Sequence, residues 1–162
     1  MRSPLDLRLG VRFQEWLSGT YWRLDAPLDE RAIDLSLETS VSDLGLRVRD
    51  KPWALGGAIR AEGLATDRAV HGALSCRLLD EGRIVYRVDF AGDDGAPYQL
   101  LGHKDWSRLS PLESLTLLSG SIYDGAGGEV ARCTLAFDLR ADAVRWLKSL
   151  RARLRTNSRH LG

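Results

Sequence analysis

Two-residue alternation of apolar and polar side chains, broken at short intervals by turn-forming residues, is the feature that most narrows the folds open to this chain. It is clearest over 83–91, where Ile84, Tyr86, Val88 and Phe90 alternate with Val85, Arg87 and Asp89. Successive side chains of a strand point to opposite faces, so such a segment reads as a strand with one buried face. The same period runs through 11–19 and through Ile33, Leu35 and Leu37 with Asp34, Ser36 and Glu38 between them. It continues in 55–63, 70–78, 98–106, 112–123 and 129–139. About eight strands result. Asp80-Glu81-Gly82, Gly92-Asp93-Asp94-Gly95 and Asp124-Gly125-Ala126-Gly127-Gly128 supply the residues that tight hairpins demand. Connectors this short join antiparallel neighbours, because a parallel crossover takes about a dozen residues or more.

The expected fold is therefore all-β, with about eight antiparallel strands in a lipocalin-like (calycin-like) barrel; closure removes the sheet edges. A β-sandwich is the alternative, since periodicity does not distinguish closure from stacking. The period changes at the C-terminus. Leu139, Ala143, Trp146, Leu147, Leu150 and Leu154 fall on one helical stripe, which predicts an amphipathic helix over 140–156 packed on the barrel or across one end. A shorter helical turn is expected at Ser42 to Val48. With 162 residues, 44% of them hydrophobic, the chain suits one domain over 1–162.

Charge excludes some functions. The net charge of +1 gives no reason to expect nucleic acid, and no apolar run reaches the roughly 18 residues of a membrane span. The first residues lack the apolar core of a signal peptide, so a cytoplasmic protein is expected. The distribution is uneven: seven basic residues from Arg140 to Arg159 face Asp142 alone, a local +6 that leaves −5 on residues 1–139. Such a helix could dock on an anionic membrane surface or a protein partner, or simply be solvated.

Three pieces, in order, carry a resemblance. They are Phe13-Gln14-Glu15-Trp16-Leu17-Ser18-Gly19, Val85-Tyr86-Arg87-Val88-Asp89-Phe90, and Gly95-Ala96-Pro97-Tyr98-Gln99-Leu100-Leu101-Gly102-His103-Lys104. They resemble the patterns F-x-E-x-M-x-G, M-x-Y-x-L-x-F and G-x-P-x-x-L-x-G-x-K of a small β-rich accessory domain. That domain is found beside cholesterol-oxidase-like members of the GMC (glucose-methanol-choline) oxidoreductase family and other presumed lipid enzymes. Leu17 stands where the pattern has Met, and Glu113 to Leu118 replaces its Asp-Thr-Thr-Thr-Leu-Tyr run. The resemblance implies an accessory domain of lipid metabolism, with an oxidoreductase or other protein as partner, and carries over no flavin chemistry.

Phe13, Glu15, Leu17 and Gly19 share one strand face; Tyr98, Leu100, Gly102, Lys104 and Trp106 share another. If both point inward, Glu15 and Lys104 are ionisable groups in an apolar barrel, where they must pair, shift pKa or line a wet cavity. Glycine at Gly102 would let a ligand or a neighbouring backbone approach. The ligand-binding set is then Phe13, Glu15, Trp22, Trp53, Tyr86, Tyr98, Gly102, Lys104 and Trp106, with aromatic surface for a hydrophobic molecule. Trp22, in Gly19-Thr20-Tyr21-Trp22, bears a two-residue likeness to the Gly-x-Trp start of lipocalin-like barrels.

No metal and no cofactor is expected. His71 and His103 read as surface histidines, Asp105 is read as facing away from His103, and zinc spacing is absent. Cys76 and Cys133 fall on inward positions and read as buried thiols, or a disulfide in an oxidising compartment. Three functions follow. The first is a non-catalytic barrel for a hydrophobic or lipid-like molecule, or an auxiliary to an enzyme that handles one. The second is a cofactor-independent isomerase or cyclase in which Glu15 and Lys104, with Tyr86 or Tyr98, move a proton. The third is an interaction module that docks through the basic helix.

Overall fold

The computed structural model describes residues 11–41, 52–77 and 81–137. The strands are β1 (Val11–Arg23), β2 (Ala26–Val41), β3 (Trp53–Ala61), β4 (Ala65–Arg77), β5 (Arg83–Ala91), β6 (Pro97–Asp105), β7 (Leu117–Asp124) and β8 (Glu129–Phe137). Each pairs antiparallel with the next, and β8 pairs with β1 through Leu17↔Phe137 to Arg23↔Ala131, so the sheet closes into a barrel. The sandwich alternative is thereby excluded. The predicted helix over 140–156 and the turn at Ser42 to Val48 lie outside the described residues.

The two ends of the barrel are built differently. At the hairpin end the chain reverses at 24–25, 62–64, 92–96 and 125–128. Gly92 N–H bonds Ala96 O at 2.9 Å, and Asp124 N–H bonds Gly128 O at 2.9 Å. Gly95 and Gly127 take φ of 80° and 82°, the left-handed backbone that made these stretches legible as turns. The turns are also tied to one another: Asp93 N–H bonds Leu64 O, and the Asp93 carboxylate accepts from Thr66 N and Oγ1 and from Arg68 Nε. These bonds hold the Asp93 carboxyl below the usual carboxylate range. The loop end carries the other three connections, the start of β1 and the end of β8.

The core is the inward row of every strand. Leu17 and Tyr21 of β1 meet Ile33, Leu35 and Leu37 of β2, Ile59 of β3, Val88 of β5, Leu100 of β6, Ile122 of β7 and Leu135 of β8. A β-carbon added at Gly72 would lie 1.8 Å from the Arg87 carbonyl oxygen, and one at Gly57 would lie 1.9 Å from that of Ser36. At these two positions the neighbouring backbone comes too close for a side chain, as a strongly coiled sheet requires.

Two boundaries depart from expectation. β7 begins at Leu117 rather than Leu112, because Pro111 opens a helical turn, α1 (Pro111–Ser114), at its favoured first position. The β1–β2 hairpin extends both strands into 20–32, where no strand was read. Among the described residues no helix is long and apolar enough to cross a membrane.

Candidate functional site

The inward rows of β1 and β6 carry Glu15 and Lys104 to the loop end, 89 residues apart in sequence, and there they meet. Lys104 Nζ donates to Glu15 Oε1 at 2.9 Å, and Tyr86 Oη donates to Glu15 Oε2 at 3.0 Å. Each carboxylate oxygen thus accepts from a different strand, so β1, β5 and β6 are tied by one polar cluster. The Lys104 side chain is 3% exposed and that of Glu15 is 26% exposed. Glu15 is thus the most exposed member of the cluster, Tyr86 being 1% exposed.

Two rings complete the setting. Lys104 Nζ stands 5.1 Å from the Tyr86 ring centroid and 5.8 Å from that of Phe137, distances at which an aromatic face attracts a cation. A buried ammonium needs such compensation, since the desolvation cost of an unpaired charge is several kcal/mol. Phe137 was not among the predicted site residues. Its signal was present: it shares the two-residue period of Cys133 and Leu135 on β8, which places it on the inward row.

The other predicted residues divide. Trp53 opens β3 at the loop end on the inward row of Leu55 and is half-buried. Trp106 follows β6 at the same end, 40% exposed, with its backbone N–H bonded to Gly82 O. The Phe13 side chain lies outside what is described. Gly102 does not open a path for a ligand, because a β-carbon there would lie 3.1 Å from Leu118 Cδ1 and 3.2 Å from Ser119 O. Its place is already filled.

Two assignments are corrected. Trp22 lies on the outer face, in register with the outward Arg132 between the buried Tyr21 and the turn, so it does not line the interior. Tyr98 lies at the hairpin end, stacked 5.7 Å from Phe90, with its hydroxyl bonded to Asp94 Oδ2 at 3.2 Å. Burial and the neighbouring Asp94 carboxylate push its hydroxyl pKa up. It does not join Glu15 and Lys104.

Nor is His103 independent of Asp105. Residues two apart on a strand share a face, and His103 Nε2 stands 3.3 Å from Asp105 Oδ2 on the barrel exterior. Cys133 is a free, buried thiol whose burial pushes its pKa up to about 12. Cys76 sits on β4, which pairs with β3 and β5 and not with β8. Among the described residues no group of three or more His, Cys, Asp and Glu could hold a metal ion.

No protein-family model, curated protein or solved structure matches the chain.

Proposed function

We propose that the barrel binds a hydrophobic, lipid-like small molecule at its loop end, with the Glu15–Lys104–Tyr86 cluster engaging the molecule's polar group. One observation carries this reading: the Glu15 side chain, held by a buried ammonium and a tyrosine hydroxyl, stays 26% exposed at an end where Thr39 is the one further buried polar side chain among the described residues. A charge cluster placed only for stability gains little over well-packed apolar residues of the same size. Preorganised polar groups within apolar walls are what an amphipathic ligand needs, because its hydroxyl or carbonyl would otherwise be desolvated without a partner.

Binding is favoured over proton transfer by the same geometry. Both Glu15 oxygens already accept a donor from the protein, which suits a fixed acceptor for a ligand hydroxyl better than a group that must accept and release a proton. The resemblance to accessory domains of lipid enzymes points the same way, and an enzyme of lipid metabolism is the partner it suggests.

The test is titration of the purified chain with cholesterol, oleate and a long-chain alcohol, followed by tryptophan fluorescence and native mass spectrometry. At least one should bind saturably, and Glu15→Gln should weaken binding at least tenfold. Absence of binding across the panel, or equal binding by the variant, would overturn the reading.

A further inference from the structure

We propose that the outer face of β4–β7, near the hairpin end, is a second binding site, and that it takes a neutral carbohydrate. A groove of about 680 Å³ lies there, within the range of small-molecule sites. Its floor is a single row across four strands: His71 is in register with Asp89, Asp89 with Gln99, and Gln99 with Tyr123. All four point outward, since Val70, Val88, Leu100 and Ile122 beside them are buried in the core. Neighbouring strands lie about 4.8 Å apart, so the row sets four polar groups at regular intervals along the groove.

The row is partly fixed before any ligand arrives. Gln99 Nε2 donates to Asp89 Oδ1 at 2.7 Å, and Arg87 Nε stands 3.5 Å from Asp89 Oδ2. A side-chain amide has two donor hydrogens and an acceptor oxygen, so one bond to Asp89 leaves Gln99 able both to give and to receive. The Tyr123 hydroxyl can do the same, and His71 adds a ring nitrogen of each kind when neutral. A surface mixing donors and acceptors in this way complements a ligand whose hydroxyls each donate and accept.

Apolar groups lie in the same groove. Leu101, 38% exposed, sits one inward residue beyond Gln99 on β6, and Pro97 and the Tyr123 ring complete a surface for the C–H face of a sugar. Charge argues against an anion: Asp89 and Asp124 line the groove, and Arg87 beside it is already paired with Asp89. A bare metal ion is not the occupant either, because among the described residues no cluster of ligands could hold one. A neutral polyhydroxylated ring meets all of these conditions. This site is at the opposite end from Glu15, on the outer wall and the hairpin rim where Phe90 and Tyr98 also border it, so it stands or falls apart from the lipid-like ligand.

The experiment is ¹H–¹⁵N NMR of the full chain titrated with maltotriose, cellotriose, mannotriose and chitotriose to millimolar concentration, where weak sugar binding is read. The expected result is saturable shifts for at least one trisaccharide at His71, Asp89, Gln99 and Tyr123, including the Gln99 side-chain amide, with Glu15 unmoved. Gln99→Ala and Tyr123→Leu should each weaken that binding at least tenfold. Gln99→Glu, which sets a second carboxylate against Asp89 at an outward position, reads the same site if Tyr123→Leu fails to fold; it should abolish the shifts. Absence of saturable shifts with all four sugars, or binding left intact by the Gln99 variants, would overturn the proposal.

Discussion

Replacing Glu15, the more exposed member of the ion pair, should cost the fold more than replacing its buried partner. In Glu15→Met the Lys104 ammonium, 3% exposed, loses its carboxylate and keeps, among the described residues, the two aromatic faces of Tyr86 and Phe137. Stranding a buried charge costs about 3–5 kcal/mol. In Lys104→Met the remaining acid, whose side chain is 26% exposed, still accepts from Tyr86 Oη, so water can take over part of the lost interaction. That variant should lose about 1–3 kcal/mol, the cost of a polar group left incompletely satisfied. The double variant strands neither charge, and its loss should fall below the sum of the singles by about 2 kcal/mol or more. Urea denaturation of all four proteins measures the cycle, and thermal melts should separate Glu15→Met from the parent by several degrees, at about 2–4 °C per kcal/mol. Singles that add within about 0.5 kcal/mol, or a Lys104 variant less stable than the Glu15 one, would refute the reasoning.

Adjacent glycines of β3 offer a second check. Gly56→Ala should be tolerated, since its β-carbon would meet nothing nearer than the Val70 carbonyl oxygen at 4.0 Å. Gly57→Ala, at φ 145° and 1.9 Å from Ser36 O, should abolish soluble folded protein or lower the melting point far more than its neighbour. Alkaline pH is a third perturbation. The folded Cys133 thiol ionises near pH 12 against 9.0 unfolded. Its contribution to stability is therefore complete below pH 9 and is lost as pH rises from there to about 12, because the unfolded chain alone gives up its proton. Denaturation midpoints should fall over that window and fall less steeply in Cys133→Ala; Tyr21, raised by burial from 10.0, leaves a residual slope in the variant.

The strands were legible wherever one face is dry. Over 83–91 the inward Tyr86, Val88 and Phe90 are buried and Arg87 is exposed, so pattern and element coincide. The first half of β2 left no such trace: Pro27, Leu28, Asp29 and Glu30 are all exposed, Leu28 at 98%, because the β1–β2 register jumps from Trp22↔Glu30 to Arg23↔Ala26 and leaves 27–29 outside that ladder. With water on both sides, alternation has nothing to record. The meeting of Glu15 with Lys104 was legible because a charged residue on an apolar face must find a partner. Tyr98 was misplaced for a related reason. Its face was read correctly, but face says nothing about height, and six residues along β6 separate it from Lys104, the length of the barrel interior. Trp22 was misplaced by parity, being one residue beyond the inward Tyr21.

Closure gives the chain an uneven folding problem. Seven of the eight ladders join strands that follow one another, four of them through turns of two to five residues, and contacts this local form quickly. The eighth, Leu17↔Phe137 through Arg23↔Ala131, has to bring together segments more than a hundred residues apart in sequence. Until that seam zips, β1 and β8 are bare edges able to recruit another chain. Slow refolding and concentration-dependent losses should both trace to this one junction, and substitutions along it should act on the rate of assembly more than those in any hairpin.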